Sequence, residues 1–152
     1  MDEVRESSLL CRVGGLLCAI PLEHVEETMR PLPTRSVAGA PVFIQGLAVV
    51  RGVPMPVVDG ARLLCGLPAE AGRFVSVKTG TRRVVLAVEK VVGISRIPPA
   101  FLTTLPPLLR DATPDAVASM AALDAELLVV VRAARLVPND VWPLLQLEGA
   151  AA

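Results

Sequence analysis

Apolar residues in this chain fall into short runs separated by turn residues. Leu9–Val13 and Leu16–Ile20 flank Gly14-Gly15, which predicts a hairpin. Gly46–Val50 and Val53–Val58 flank Arg51-Gly52 and predict a second, with a tight two-residue turn. Phe74–Lys78 alternates and Val84–Val88 returns as a buried strand across a turn at Thr79-Gly80. Val91–Ile97 reads as another strand. Val117–Leu123 and Glu126–Val131 form a late hairpin around Asp124-Ala125. Three segments read as helical. Pro21–Arg30 begins with a proline suited to the first helical position and places Leu22, Val25 and Met29 at i, i+3 and i+7. That helix turns Val25 inward and leaves Glu27 exposed. Ala61–Cys65 reads as one turn ended by Gly66 and Pro68, and Val141–Glu148 as a short terminal helix. Prolines 31 and 33 stop the first helix, and those at 98, 99, 106 and 107 mark an irregular stretch. Met1–Glu6 is charged and expected to fray.

Many short strands and few helices predict a mainly β fold, a barrel or sandwich. The order of elements also repeats. A shift of 73 residues lays Gly46–Leu64 on Ser119–Val137 without a gap, so that Val57-Val58 meets Val130-Val131 and Ala61-Arg62-Leu63 meets Ala134-Arg135-Leu136. A shift of 66 lays Gly14 on Gly80, Glu23 on Glu89 and Val25 on Val91. This pseudo-duplication predicts two similar small barrels on one shared core. A 60-residue unit buries only about 60% of its unfolded surface and is marginal alone. We therefore expect a single domain over 7–140, with 141–152 as a short helix and tail.

The copies differ at one strand. Pro54 and Pro56 stand two residues apart, where the second copy has Leu127 and Val129. Their missing N–H groups face one side, which predicts a bulge or an edge there.

Composition narrows the function classes. The 152 residues carry 15 basic and 15 acidic side chains, and only 3% are aromatic. Zero net charge and scarce rings argue against a nucleic-acid module. Mean hydropathy is high at +0.58, yet no uninterrupted apolar run approaches the ~18 residues of a membrane helix. With a polar start, MDEVRE, the expected compartment is the cytoplasm, without membrane insertion. Surplus apolar surface must then be buried in the core or against partners.

The chain carries few residues suited to chemistry. Cys11, Cys18 and Cys65 form no CxxC pair and read as small buried residues. His24 is the lone histidine, and nothing places it beside a cysteine as a nucleophile pair requires. Glu23, Glu26 and Glu27 lack the spacing of a calcium loop, and no phosphate loop is present. A thiol enzyme using Cys18 or Cys65 remains the rival from another class. Arg51 is the residue the pattern isolates: one charge at the tip of an apolar hairpin. It reads either as a solvated turn charge or as an anchor whose rigid fork of donors suits partner carboxylates or carbonyls. Gly52 beside it permits the positive φ of a tight turn.

At these residues the chain resembles the CheW family of bacterial chemosensory adaptors. The resemblance runs from about Leu9 to Val137 through CAIPLEHVEE, LPTRSVAGAPVFIQGLAVVRGVPMPVVD, RVVLAVEKVVGI and MAALDAELLVVVRAARLV. It implies two SH3-like five-stranded barrels packed on a shared hydrophobic core, with short helices. It also implies no catalytic activity and no cofactor or metal. The implied partners are the regulatory domain of a CheA-type histidine kinase and the cytoplasmic tip of methyl-accepting chemoreceptors, with recruitment to membrane-associated arrays. By position, the resemblance implies partner contacts at Val25, Glu27, Gly46, Arg51 and Gly52. The chain departs from the family pattern at Val49-Val50, where Asn-Leu is usual. Gly60 stands in place of a large apolar residue and is expected to loosen the next turn. Arg132 stands where a carboxylate is common. These departures leave open a divergent system controlling pili or another non-flagellar output.

Overall fold

The computed structural model describes residues 7–97, 103–104 and 115–145. Eleven strands appear there: β1 (Ser7–Val13), β2 (Leu16–Pro21), β3 (Val25–Met29), β4 (Ile44–Val50), β5 (Val53–Asp59), β6 (Arg73–Thr79), β7 (Arg82–Val88), β8 (Lys90–Arg96), β9 (Thr103–Thr104), β10 (Val117–Leu123) and β11 (Glu126–Val131). Two short helices, α1 (Gly60–Cys65) and α2 (Trp142–Leu145), join them. All four predicted hairpins form, with turns at Gly14-Gly15, Arg51-Gly52, Gly80-Thr81 and Asp124-Ala125. The expected fraying of residues 1–6, the proline-rich stretch apart from β9, and the end of the terminal helix lie outside the described residues.

The first sheet runs β8-β1-β2-β11-β10-β9 and the second β3-β6-β7-β5-β4. Neighbours are antiparallel except β11 on β2 and β5 on β7. The two orders correspond under the shifts seen in the sequence. β1, β2 and β3 match β6, β7 and β8, while β4 and β5 match β10 and β11. Even the parallel registers agree, since Val57 faces Val85 and Val130 faces Ala19. Neither sheet is built from one copy, however. β1 and β2 lie in the sheet of β8, β10 and β11, while β6 and β7 lie with β3, β4 and β5. Each half therefore needs the other to complete its sheet.

Burial explains why the strands read as unbroken apolar runs. In β7, Val84, Leu86 and Val88 enter the cluster shared by both sheets, which also holds Ile20, Val58, Val75 and Leu136. Val85 and Ala87 point the other way, into a separate cluster around Phe74, Val50 and Val57. The first sheet has a matching private cluster of Leu10, Leu17, Ala19, Ala121 and Leu128. Each sheet thus covers the common core with one face and curls its other face around a small core of its own. The curl does not close by hydrogen bonds, so the expected barrels are open at one seam.

The Pro54/Pro56 inference holds. Val50 and Val53 close the two-residue turn as a hydrogen-bonded pair, so Val49–Pro54 and Leu47–Pro56 are non-hydrogen-bonded pairs. The positions lacking N–H therefore face away from β4. On that side β7 joins only from Val57 onward, leaving the proline half of β5 as an edge.

The expected helix over Pro21–Arg30 is wrong. Leu22–His24 is a single 3-10 turn, and Val25–Met29 is strand β3, paired with β6. Three apolar residues at 22, 25 and 29 fit a helix, but 25, 27 and 29 also alternate, and pairing with β6 decides between them. Gly60 does not loosen its turn either. It is buried, and a methyl there would lie 2.8 Å from the Ala87 carbonyl oxygen and 3.1 Å from Val13. Asp59 caps α1 by accepting from the Arg62 N–H at 3.2 Å, and Gly66 ends it with φ 75°. No described helix is long and apolar enough to cross a membrane.

Candidate functional site

The second sheet ends in β3 on one side and β4 on the other. Its curl brings those edges together, and the β4–β5 turn reaches across the seam. Arg51 has φ 51° and Gly52 φ 80°, the two positive values of the type I′ turn that matches strand twist. This geometry aims the Arg51 side chain at β3. Its Nε donates to Glu27 Oε1 at 2.8 Å and its Nη2 to Glu27 Oε2 at 3.0 Å. The side chain of Arg51 is 80% exposed and that of Glu27 30%. The charge at the tip is therefore neither loose in solvent nor buried. It is held in a bidentate clasp with much of the guanidinium left open. The clasp holds the Glu27 carboxyl below the usual carboxylate range, mainly through the hydrogen bonds from Arg51, and raises the guanidinium further. Glu27, expected to be exposed, is half-buried under this contact.

The other expected residues sit in different structural settings. A bulge between Val25 and Glu27 lets β3 turn Glu27 toward the tip while Val25 packs half-buried against the shared core. Gly52 is exposed and crowded by nothing. Gly46 is buried, with φ 150°, at a bulge in β4. A methyl there would collide with the backbone carbonyl of Arg35. Arg35 bridges the outer edge of β4, donating to Leu47 O at 2.9 Å and accepting from Leu47 N at 2.8 Å. Gly46 thus admits a covering segment rather than presenting a side of its own.

Exposed apolar side chains flank Arg51 along the hairpin: Val49 at 65% and Val53 at 41%. Val49, the departure from Asn-Leu, points outward, whereas Val50 is buried in the small cluster of this sheet. Sequence reasoning missed Glu27 as the partner of Arg51. The two lie 24 residues apart on opposite edges of the sheet, and only the curl joins them.

Two of the three thiols are closed off in the core, and Cys65 is partly exposed. Cys11 and Cys18 face each other across β1 and β2 in the core. Burial pushes the Cys11 thiol up to about 12, and raises Cys18 as well. His24 lies 3.9 Å from Glu23.

Against this geometry, the family model of the CheW-like domain matches residues 7–141. The chain belongs to the CheW-like family. Among curated relatives, Protein FrzA of Myxococcus xanthus is 36% identical over 112 residues, covering 70% of this chain and 69% of FrzA. Among solved CheW-like structures, the scaffolding protein TtCheW from Thermoanaerobacter tengcongensis superposes with a TM-score of 0.70. That match covers 84% of this chain and 88% of TtCheW, at 20% identity. The chain is accordingly a CheW-like adaptor or scaffold of signal transduction with the open double-barrel fold of that family.

Proposed function

We propose that this chain couples chemoreceptors to a CheA-type histidine kinase by non-covalent binding, with the regulatory domain of the kinase and the cytoplasmic tip of the receptor as its partners. It performs no catalysis and holds no cofactor. The observation that carries this reading is the Arg51–Glu27 clasp at the seam, with exposed Val49 and Val53 two residues to either side of Arg51 along the hairpin. A clasped guanidinium has already lost part of its rotamer freedom, so docking it orders less, while its open edge still donates to a partner. Apolar residues beside it supply area that gains from leaving water. Arg51, Gly52 and Glu27 act together in this reading, Val25 supports them from the core side, and Gly46 keeps the hairpin in place.

The test is co-migration with the regulatory domain of the cognate kinase on a sizing column, followed by kinase activity in receptor-containing membranes. Arg51→Ala and Glu27→Ala should each weaken coupling while leaving the fold intact, because Glu27 acts by holding Arg51. Absence of co-migration at tens of micromolar by the folded parent protein overturns the proposal.

A further inference from the structure

The pseudo-duplication places two equivalent grooves on this molecule, and they are not equally filled. In the first, Val13, Asp59, Ala61 and Ala87 face the connection that follows α1, and Ala69, Glu70 and Ala71 occupy the space. Only about 10 Å³ remains. Gly72 anchors this filler by donating to Val88 O at 2.9 Å. Under the shifts of 66 and 73, the four wall residues become Thr79, Arg132, Ala134 and Pro21. These four line a second groove, and the described residues leave it open, with a volume of about 490 Å³. The chain takes another route there: after the 3-10 turn at Ala133–Arg135, Leu136, Val137, Val141 and Leu145 enter the shared core instead of crossing the groove.

The open groove also differs in charge. Arg132 replaces Asp59, and Lys78 replaces Arg12. Arg12 is held in a bidentate pair with Glu126, whereas Lys78 makes no ion pair among the described residues. Arg132 and Arg135 share Asp115, at 3.6 and 3.0 Å. Among the described residues, Lys78, Arg132 and Arg135 line the groove and Asp115 is the carboxylate that pairs with the two arginines, which leaves the rim positive on a chain whose net charge is zero. The floor between them is apolar, formed by Val131, Ala133 and Pro21.

We infer that this groove is a second docking site, separate from the hairpin tip, for an extended acidic peptide segment of a partner protein. The filled groove supplies the template: an irregular stretch, Leu67-Pro68-Ala69-Glu70-Ala71-Gly72, in which two alanines and one glutamate line the space. Small side chains fit between the walls, and the carboxylate meets Lys78 and Arg132 where the first copy offers Asp59. A nucleic acid is a poorer occupant, since the described lining offers one imidazole, His24, and no Phe, Tyr or Trp to stack successive bases.

The probe is a fluorescein-labelled peptide of sequence LPAEAG, with LPAKAG as control, titrated into the full chain. Binding is followed by anisotropy, and amide shifts are followed by NMR. We expect shifts confined to Thr79–Gly80 and Ala133–Arg135, and affinity reduced at least about fivefold by Lys78→Glu or by the lysine control. Ala134→Trp, at an exposed position, should block binding without unfolding the chain. Each of four outcomes overturns the proposal: no shifts at millimolar peptide, equal binding of LPAKAG, shifts at the Arg51 tip alone, or binding only after residues 146–152 are removed. The last would assign the groove to the chain's own tail.

Discussion

Replacing Gly46 by alanine separates a fold role from a contact role at the one buried residue among the expected partner positions. The added methyl meets the Arg35 carbonyl, so either β4 or the 35–36 segment must move. Moving it breaks the two backbone hydrogen bonds between Arg35 and Leu47, at 2.9 and 2.8 Å, each worth about 1 kcal/mol net. The backbone at φ 150° adds strain of about 1 kcal/mol or more for a residue with a Cβ. The total is about 3 kcal/mol, which for a domain of this size lowers Tm by about 6–12 °C. Thermal melts followed by circular dichroism measure the shift, and urea unfolding shows whether the m-value is unchanged, as a pure stability change requires. Partner binding measured well below the melting range should survive. A Tm within about 2 °C of the parent would refute the close-approach reasoning. If kinase binding were lost at the same time, Gly46 would be a contact residue after all.

Two further outcomes follow from the titratable groups. The depressed Glu27 carboxyl means that the clasp contributes above the unfolded-state value and is lost as pH falls through the folded one. Carbon-detected NMR titration should therefore place Glu27 below the ordinary glutamate range, Arg51→Ala should bring it back up, and an unmoved Glu27 would show that the clasp does not form. Iodoacetamide should label Cys65, which is partly exposed, while Cys11 and Cys18 stay protected until the protein unfolds. Equal labelling of all three in the native state would contradict the core assignment.

Most of the strands were legible because turns and apolar runs are local signals. The Arg51-Gly52 and Asp124-Ala125 tips fell where the sequence put them, as did the proline edge of β5. Position 25–29 was not legible, because five residues carry too little periodicity to separate strand from helix before a neighbour is known. Gly60 was misread for a related reason. Its meaning depends on Ala87 in β7, brought close by the parallel pairing of β5 with β7.

The sequence by itself determined the mainly β composition, the hairpins, the duplication and the isolated charge at Arg51. Each is written in residues close to one another, or in two stretches that can be laid side by side. Tertiary structure alone decided that the two halves exchange their first two strands, that the curl of one sheet brings Glu27 to Arg51, and that the described residues fill one of two equivalent grooves and leave the other open. These depend on which edges meet when both faces of each sheet must be buried. That is a property of the whole packed molecule, and no local pattern encodes it.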